Sequence, residues 1–534
     1  MSHPAQRFKT SRLLPFALSK HLSFHARGDD AFVWNGLTGD VAQMSRDVLQ
    51  LLLAFDPQAD PKAVMAEPPE GLEPTMAEEF ITTLRARRYL VTAGVEETAS
   101  LLIGVPYVPR GAVFLRQERP GAPNLIRVWG RNGEVMLDAK TAALFDRCNG
   151  ERTLGQVLGD AGPSAIVPLL RLARADVAAL KILAKPVSKG GLTLQPAAES
   201  TMPYPEIADP KAFAAGAAGP GADPGDLRAY HQSHIADAEA QFDEKETTLS
   251  HLFRAPHAAL KGRTFGAALA AGLLDRGALQ RTAGRPAVLL EVGGGLGFVG
   301  AAVKEAVAAS GKAAGVKSSH LDLSPALQRA QRRRGLKTAR GDARLLPVKA
   351  GSVDLLIANE MAGDLGTSEQ GKSADGSPRM VNDGALQLVR EASSALAPGG
   401  TLYVSEFGEL TADPVRSDHL DHDEWSIRFV DLQDEAKRCG LEAKVVSVPE
   451  LLGLDGDALA LTTTRASYAA LRGLFAAHGL DLTKRAWLRT EIEALCAGKL
   501  DLKEVHGLLW APLVERTMGL SPRQFWALIA TRPA

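Results

Sequence analysis

Cysteine is scarce, with three in 534 residues. Cys148, Cys439 and Cys496 lie far apart and in no C-x-x-C spacing, which excludes a cysteine-ligated cluster and suits a reducing compartment. Long apolar runs are missing too. No stretch approaches the roughly 20 residues that a helix needs to cross a bilayer. The N-terminus is polar and basic without the apolar centre of a secretory signal. We therefore expect a soluble, cytoplasmic chain. Charge of one sign is also lacking: 61 Lys and Arg stand against 62 Asp and Glu, a formal net charge of −1. No global basic footprint marks nucleic acid as a partner. The densest basic run, Arg329 with Arg332, Arg333 and Arg334, reads as a solvated helix face. His419, His422, Asp423 and Glu424 read as a polar loop rather than a metal site. The length calls for more than one core, two to four domains.

One stretch is strongly patterned. Val288-Leu-Leu-Glu-Val-Gly-Gly-Gly-Leu-Gly297 runs from a buried strand through a carboxylate into a turn with Gly293, Gly295 and Gly297 at alternate positions. An apolar helix over 298–309 follows. Strand, glycine turn and helix in that order bring backbone N–H groups and a helix N-terminus close to a ligand. Glycine is needed because side chains there would block the approach. A nucleotide-type cofactor is expected, and two compete. Gly295-Leu-Gly297-Phe-Val-Gly300 also spells the dinucleotide motif G-x-G-x-x-G, which alone is weak.

Downstream landmarks favour the other cofactor. Ser318-Ser-His-Leu-Asp-Leu-Ser324 reads as a second strand whose Asp322 can accept both hydroxyls of a ribose. Gly341-Asp342-Ala343 forms a third acidic loop, and Ser352-Val-Asp-Leu-Leu-Ile-Ala358 a fourth strand with Asn359-Glu360 at its tip. Ala397-Pro-Gly-Gly400 turns into a fifth strand at 401–405. Residues 425–439 read as a helix, 441–448 as a sixth strand, and 523–532 as an antiparallel seventh. This series resembles the class I S-adenosylmethionine (SAM)-dependent methyltransferases. The resemblance implies an α/β, Rossmann-like seven-stranded sheet with SAM as cofactor. Glu291 would meet the ammonium of its amino-acid tail, Gly293, Gly295 and Gly297 would pass under tail and ribose, and Asp322 would hold the ribose. Asp342 and the Ala343 N–H would meet the adenine. Asn359, Glu360 and Asp364 would lie where the methyl group projects, with Glu360 orienting or deprotonating the nucleophile.

Asp322-Leu-Ser-Pro-Ala-Leu-Gln328 with Gln331, Ile357-Ala-Asn-Glu360, and Glu424-Trp-Ser-Ile-Arg-Phe-Val-Asp-Leu432 are similar to the MidA-like methyltransferases. That family includes a mitochondrial complex I assembly factor that methylates protein arginine. Asp322 stands where the family commonly has Glu. Gly363 stands where it has Asp, with Asp364 one step later.

Residues 1–97 and 98–190 share one design, a short β region followed by helices. Strands are expected at 18–24, 31–35, 112–116 and 125–129, and helices at 45–54, 75–88, from 137, from 153, and at 164–183. The phrases Asn35-Gly-Leu-Thr-Gly39 and Cys148-Asn-Gly-Glu-Arg-Thr-Leu154 resemble the PqqD-like winged-helix fold, a recognition element of enzymes that modify ribosomally made peptides. Two small α+β winged-helix-like domains are thus expected. An Ala/Gly/Pro-rich linker at 191–225 and a methyltransferase domain at 226–534 follow, the latter with a helical insertion at 451–521 that caps the substrate site.

The reading reached is transfer of a methyl group to a protein or peptide, such as a ribosomally made precursor, held by the N-terminal half. A small-molecule methyltransferase is one alternative. A catalytically inactive SAM-binding assembly or regulatory protein is another, and a dehydrogenase a remote one. A scaffold or homodimerisation role is the competing reading of the N-terminal half. No membrane and no nucleic-acid partner is expected.

Overall fold

The computed structural model describes residues 15–27, 30–35, 40–69, 72–93, 102–109, 111–117, 125–130, 133–161, 165–173, 177, 179–183, 186–187, 207, 209–216, 248–280, 284–372, 378–419, 422–461, 465–483, 486–515 and 524–534. The chain divides into two compact units. One comprises residues 1–221, 466–481 and 498–508, and the other residues 222–465, 482–497 and 509–534.

The first unit contains two hydrophobic cores of the same design. In the first, strand Phe16–Leu18 precedes an antiparallel meander of Leu22–Arg27, Asp30–Asn35 and Asp40–Met44. Helices Arg46–Leu53, Pro61–Ala66 and Pro74–Ala86 follow, and Leu90–Thr92 returns to pair with Phe16–Leu18. The second core repeats that order. Val105–Tyr107 precedes the meander Val113–Gln117, Leu125–Gly130 and Gly133–Leu137. Helices Ala139–Phe145, Leu154–Leu158 and Ile166–Leu172 then lead to Lys181–Leu183, which pairs with Val105–Tyr107. Isolated bridges recur at matching places, Phe16 with Ala59 and Tyr107 with Asn149. So do the middle-helix caps, where Asp60 accepts from the Lys62 N–H and Thr153 from the Gln156 N–H, each satisfying a donor the helix cannot. Leu49, Leu52 and Leu53 form the buried stripe of the first helix.

Several elements differ from expectation. The strand expected over 18–24 is broken by a turn at 19–21, where the Leu22 N–H bonds the Ser19 carbonyl at 3.3 Å. The helix expected over 164–183 stops at Leu172, whose carbonyl takes the N–H groups of Ala179 and Leu180 at 2.8 and 3.0 Å as the chain turns into a strand. Within the expected linker, Pro210–Ala214 is helical and buries Phe213 in the first core. The rest of that linker, apart from 207, 209, 215 and 216, lies outside the described residues, as do residues 226–247. The insertion expected at 451–521 is not one helical block. Its residues 466–481 and 498–508 belong to the first unit. There Val505–His506 adds a fourth strand beside Val113–Gln117, His506 stacks on Phe114 at 4.2 Å, and the Ser467 hydroxyl bonds the Gly111 carbonyl at 2.7 Å.

The second unit is built on a sheet whose main strands are β1 (Pro286–Val292), β2 (Gly315–Asp322), β3 (Thr338–Arg340), β4 (Val353–Asn359), β5 (Leu396–Glu409), β6 (Glu442–Ser447) and β7 (Gln524–Thr531). Their order is β3-β2-β1-β4-β5-β7-β6. All neighbours are parallel except β7, which runs antiparallel to β5 and β6. An eighth, two-residue strand, Ile427–Arg428, pairs with the end of β5. It replaces the start of the helix expected at 425, which begins instead at Phe429.

Both faces of the sheet are covered, so β1 and β4 are buried almost throughout, as a parallel sheet requires. Period-two alternation sends Leu289, Leu355, Ile357 and Tyr403 to one face, under α1 (Phe265–Asp275) and α2 (Phe298–Ala309). Leu290, Val292, Leu356, Ala358 and Val404 go to the other, under α4 (Asp383–Ala395) and α5 (Phe429–Arg438), while α3 (Pro325–Arg333) lies between β2 and β3 in the chain. At the base of the sheet Asp354 takes both Arg285 nitrogens at 2.6 and 2.8 Å and the Val288 N–H at 2.8 Å. Arg285 is half exposed, so water screens the ion pair and the bond from the half-buried Val288 N–H carries much of its worth. Asp354→Ala should cost about 2–3 kcal/mol in a denaturant titration. Asp354→Asn, which keeps one acceptor, should cost about half as much.

Candidate functional site

The strand order reverses at β1, which has β2 on one side and β4 on the other. Ligands of such sheets bind beyond the carboxyl ends of the strands at this point. Val292, Asp322, Asn359 and Ser405 all stand at those ends, by the register of their strands.

The turn from β1 to α2 needs its glycines. Gly293, Gly295 and Gly297 have φ of 63°, 53° and 85°, the left-handed region where other residues cost about 1–2 kcal/mol. A Cβ at Gly293 would stand 2.8 Å from Met361, whereas one at Gly295 would meet nothing within 4 Å. Gly295 thus offers an open backbone face. The turn rests on Glu291, since a Cβ at Gly294 or Gly300 would run into its carboxylate. Glu291 is 3% exposed and its Oε2 lies 2.6 Å from Nδ1 of His320, itself 1% exposed. Glu291 Oε1 and His320 Nε2 are buried without partners among the described residues. The carboxylate expected to face a ligand's ammonium therefore sits beneath the turn, one oxygen committed to His320.

Asp322 is buried at the tip of β2. Its Oδ1 accepts the Ser324 N–H at 2.9 Å and its Oδ2 the Gln331 amide at 3.2 Å. Gln328 holds the Asp322 carbonyl at 2.9 Å, and Gln331 also reaches the Gly295 carbonyl at 2.9 Å. Asp342 is taken up by Arg344, whose Nη2 lies 2.8 Å from Oδ2 and whose backbone N–H bonds Oδ1 at 2.9 Å. Arg344 in turn donates to the Leu365 carbonyl at 3.1 Å, joining this loop to the one after β4. Ala343 is buried beside it.

At the tip of β4, Asn359 accepts the Ser405 and Tyr403 hydroxyls at 2.9 and 3.3 Å and donates to Glu360 Oε2 at 3.0 Å. Burial holds the Tyr403 phenol protonated well above its ordinary range. Glu360 has φ 52°, and non-glycine residues in that region concentrate at functional sites. Its carboxylate also accepts the N–H groups of Leu249 and Ser250 at 3.0 and 3.3 Å, and the Ser250 hydroxyl. It thus caps the short helix Leu249–Leu252. The following residues pack on the glycine turn's helix, with the His251 ring 6.4 Å and the Arg254 guanidinium 5.9 Å from the Phe298 ring.

Asp364 lies half-buried in the 3-10 turn Ala362–Leu365. A Cβ at Gly363 would stand 2.7 Å from the Trp425 carbonyl, so the acid that the resemblance implies at 363 has no room there. The Gly363 N–H bonds Glu406 Oε2 at 3.1 Å. Burial, and then the charge of Glu424, push the Glu406 carboxyl well above the usual range, against the pull of the Gly363 and Phe407 N–H groups. Reading the sequence assigned no role to His320 or Glu406, and it noted Gln331 only as part of a family resemblance. Among the described residues no group of His, Cys, Asp and Glu is arranged to hold a metal ion.

No family model matches the chain, and no curated protein does. Among solved structures it is similar to Haemonchus contortus phosphoethanolamine N-methyltransferase 2 in complex with SAM. That match is 15% identical and covers 56% of this chain and 61% of the other, with a TM-score of 0.28. It is also similar to a Burkholderia thailandensis protein taken to be a methyl transferase and solved with S-adenosylhomocysteine. There the identity is 14%, with 59% of this chain and 94% of the other covered, at a TM-score of 0.31. The fold follows from the strand order above rather than from these scores.

The turn makes a prediction that needs no ligand. Gly295→Ala should cost only backbone strain, about 1–2 kcal/mol. Gly300→Ala should cost more, about 3 kcal/mol, because its Cβ would be driven into the buried Glu291 carboxylate and His320 ring. Equal losses in denaturant titrations would contradict the packing of the turn on Glu291.

Proposed function

We propose that the chain is a SAM-dependent methyltransferase that modifies a protein or peptide. The observation that carries the reading is the glycine turn at the reversal point, tied to Asp322 at the next strand tip, in a sheet with antiparallel β7 between β5 and β6. A dinucleotide-binding sheet has the order 3-2-1-4-5-6, and the inserted β7 departs from it.

The residues suit the cofactor. Gly295 leaves open backbone, Asp322 presents a carboxylate for the ribose hydroxyls, and Glu291 Oε1, with no partner among the described residues, would take a donor such as an ammonium or a water. Gly293 and Gly297 shape the turn, and Asp342 with Ala343 line the loop where adenine would lie. When bound, SAM supplies an electrophilic methyl group. Transfer is an in-line displacement, so positioning provides most of the acceleration. Asn359 is fixed by Tyr403 and Ser405, and Glu360 holds its carboxylate at the strand tip to orient the acceptor. Asp364, in the 3-10 turn that follows, would offer a further carboxylate for the proton that the acceptor loses.

The first unit supports a polypeptide substrate. Gly133–Leu137 is the edge of its four-stranded sheet, and Met136 on that edge and Val167 on the helix packed against it are each 53% exposed. An edge strand beside an apolar helix suits an added peptide strand. One observation favours a second reading, a cofactor-binding regulator that transfers nothing: the Glu360 carboxylate is already taken up by Leu249 and Ser250.

Full-length protein incubated with methyl-labelled SAM and a cell extract should place label in acid-precipitable polypeptide. Label confined to small molecules would refute the polypeptide assignment, and no label would favour the regulator. Glu360→Gln should lower turnover at least about tenfold while SAH affinity stays within about threefold. A larger loss of affinity would make Glu360 a cofactor ligand. Gly295→Arg should stay folded and lose SAH binding.

A further inference from the structure

Gln331 lies on α3, and its side chain is wholly buried. Its Nε2 donates to the Gly295 carbonyl at 2.9 Å and to Asp322 Oδ2 at 3.2 Å. A carbonyl and a carboxylate are both acceptors, so only the NH2 end of the amide can face them, and the orientation is fixed by its partners. Oε1 then points away, buried and with no partner among the described residues. A buried carbonyl oxygen in that state is satisfied by an ordered water or a ligand hydroxyl. The Gln331 amide thus bonds both the glycine turn and the strand-two carboxylate. The helix that carries it is locked to the same strand tip. Ser324 caps it by accepting the Leu327 N–H at 3.3 Å, and Gln328 binds the Asp322 carbonyl at 2.9 Å.

We propose that Gln331 is a positioning residue that sets the spacing between the glycine turn and Asp322, and so the affinity for a nucleoside carrying an amino-acid tail. The inference rests on the SAM reading. Without the amide the Gly295 carbonyl and Asp322 Oδ2 lose the donor that they share. The Gly295 end of the turn then loses a tie that the bond from the Gly293 N–H to the Leu321 carbonyl, 2.9 Å, does not replace. A glutamate of the same shape would be worse, placing a third acceptor between two others.

The test is calorimetric titration of the full-length protein with S-adenosylhomocysteine. Gln331→Met should raise Kd about ten- to thirtyfold. Gln331→Glu should raise it about a hundredfold or more at pH 7. Its deficit against wild type should narrow as the pH falls towards about 5, because a protonated glutamic acid regains one donor. The Gln331→Met deficit should not change with pH. In the Asp322→Asn background Gln331→Met should cost much less than in wild type, since the two act together. Folded variants that bind within twofold of wild type would overturn the proposal and leave the cofactor reading standing. A pH-independent Gln331→Glu deficit, or additive losses, would do the same. Wild-type protein that fails to bind S-adenosylhomocysteine would overturn both. Should Gln331→Glu not fold, Gln331→Met and the double variant decide the matter.

Discussion

A backbone that leaves a buried strand and enters a helix within five residues must reverse through left-handed conformations, and every polar group it buries must find a partner. The turn after β1 meets the first demand with Gly293, Gly295 and Gly297. It meets the second by resting on Glu291, which is paired with His320 on the neighbouring strand. Burying a carboxylate and an imidazole is expensive unless they are matched, so β1 and β2 are held to one register at this level. Gln331 then carries the constraint to the tip of β2. The open face at Gly295 and the carboxylate of Asp322 stand at a set spacing as a consequence.

A second polar chain fixes the other side of the reversal point. Tyr403 and Ser405 bond Asn359, Asn359 bonds Glu360, and Glu360 caps the short helix at Leu249. A helix start satisfied by a distant carboxylate ties residues that precede the sheet to the tip of its central strand. The strained backbone at Glu360 is maintained by this over-determination. The same carboxylate thus has a structural duty, and its part in transfer is that of a fixed group that orients. On the opposite face Glu406 is buried near Glu424 and bonded to Gly363, a carboxyl kept protonated to unusually high pH.

Local pattern carried much of this. The glycine turn, the strands β1, β4 and β7 and the acids at the strand tips are legible because strand period, turn glycines and terminal carboxylates are neighbours in sequence. The repeated order of strands and then helices in the first unit is legible for the same reason, although the third strand of each meander, Asp40–Met44 and Gly133–Leu137, was missed. What escaped depends on contacts between remote residues. The partners of Glu360 lie 110 and 111 residues earlier, and nothing near residue 249 announces them. Arg344 looks like an ordinary surface arginine until it closes on Asp342. Residues 466–481 and 498–508 read as part of an insertion in the sheet domain, and only three-dimensional packing assigns them to the first unit. A chain cut at residue 226 would strip those segments of their partners, so point changes are the sounder probes of the two units.

The central claim is that the turn at β1 and the carboxylate at β2 together hold SAM. Calorimetric titration of the purified full-length protein with S-adenosylhomocysteine, and then with NADH, tests it most directly. The account predicts micromolar binding of the first and none of the second. Binding of NADH alone would contradict it.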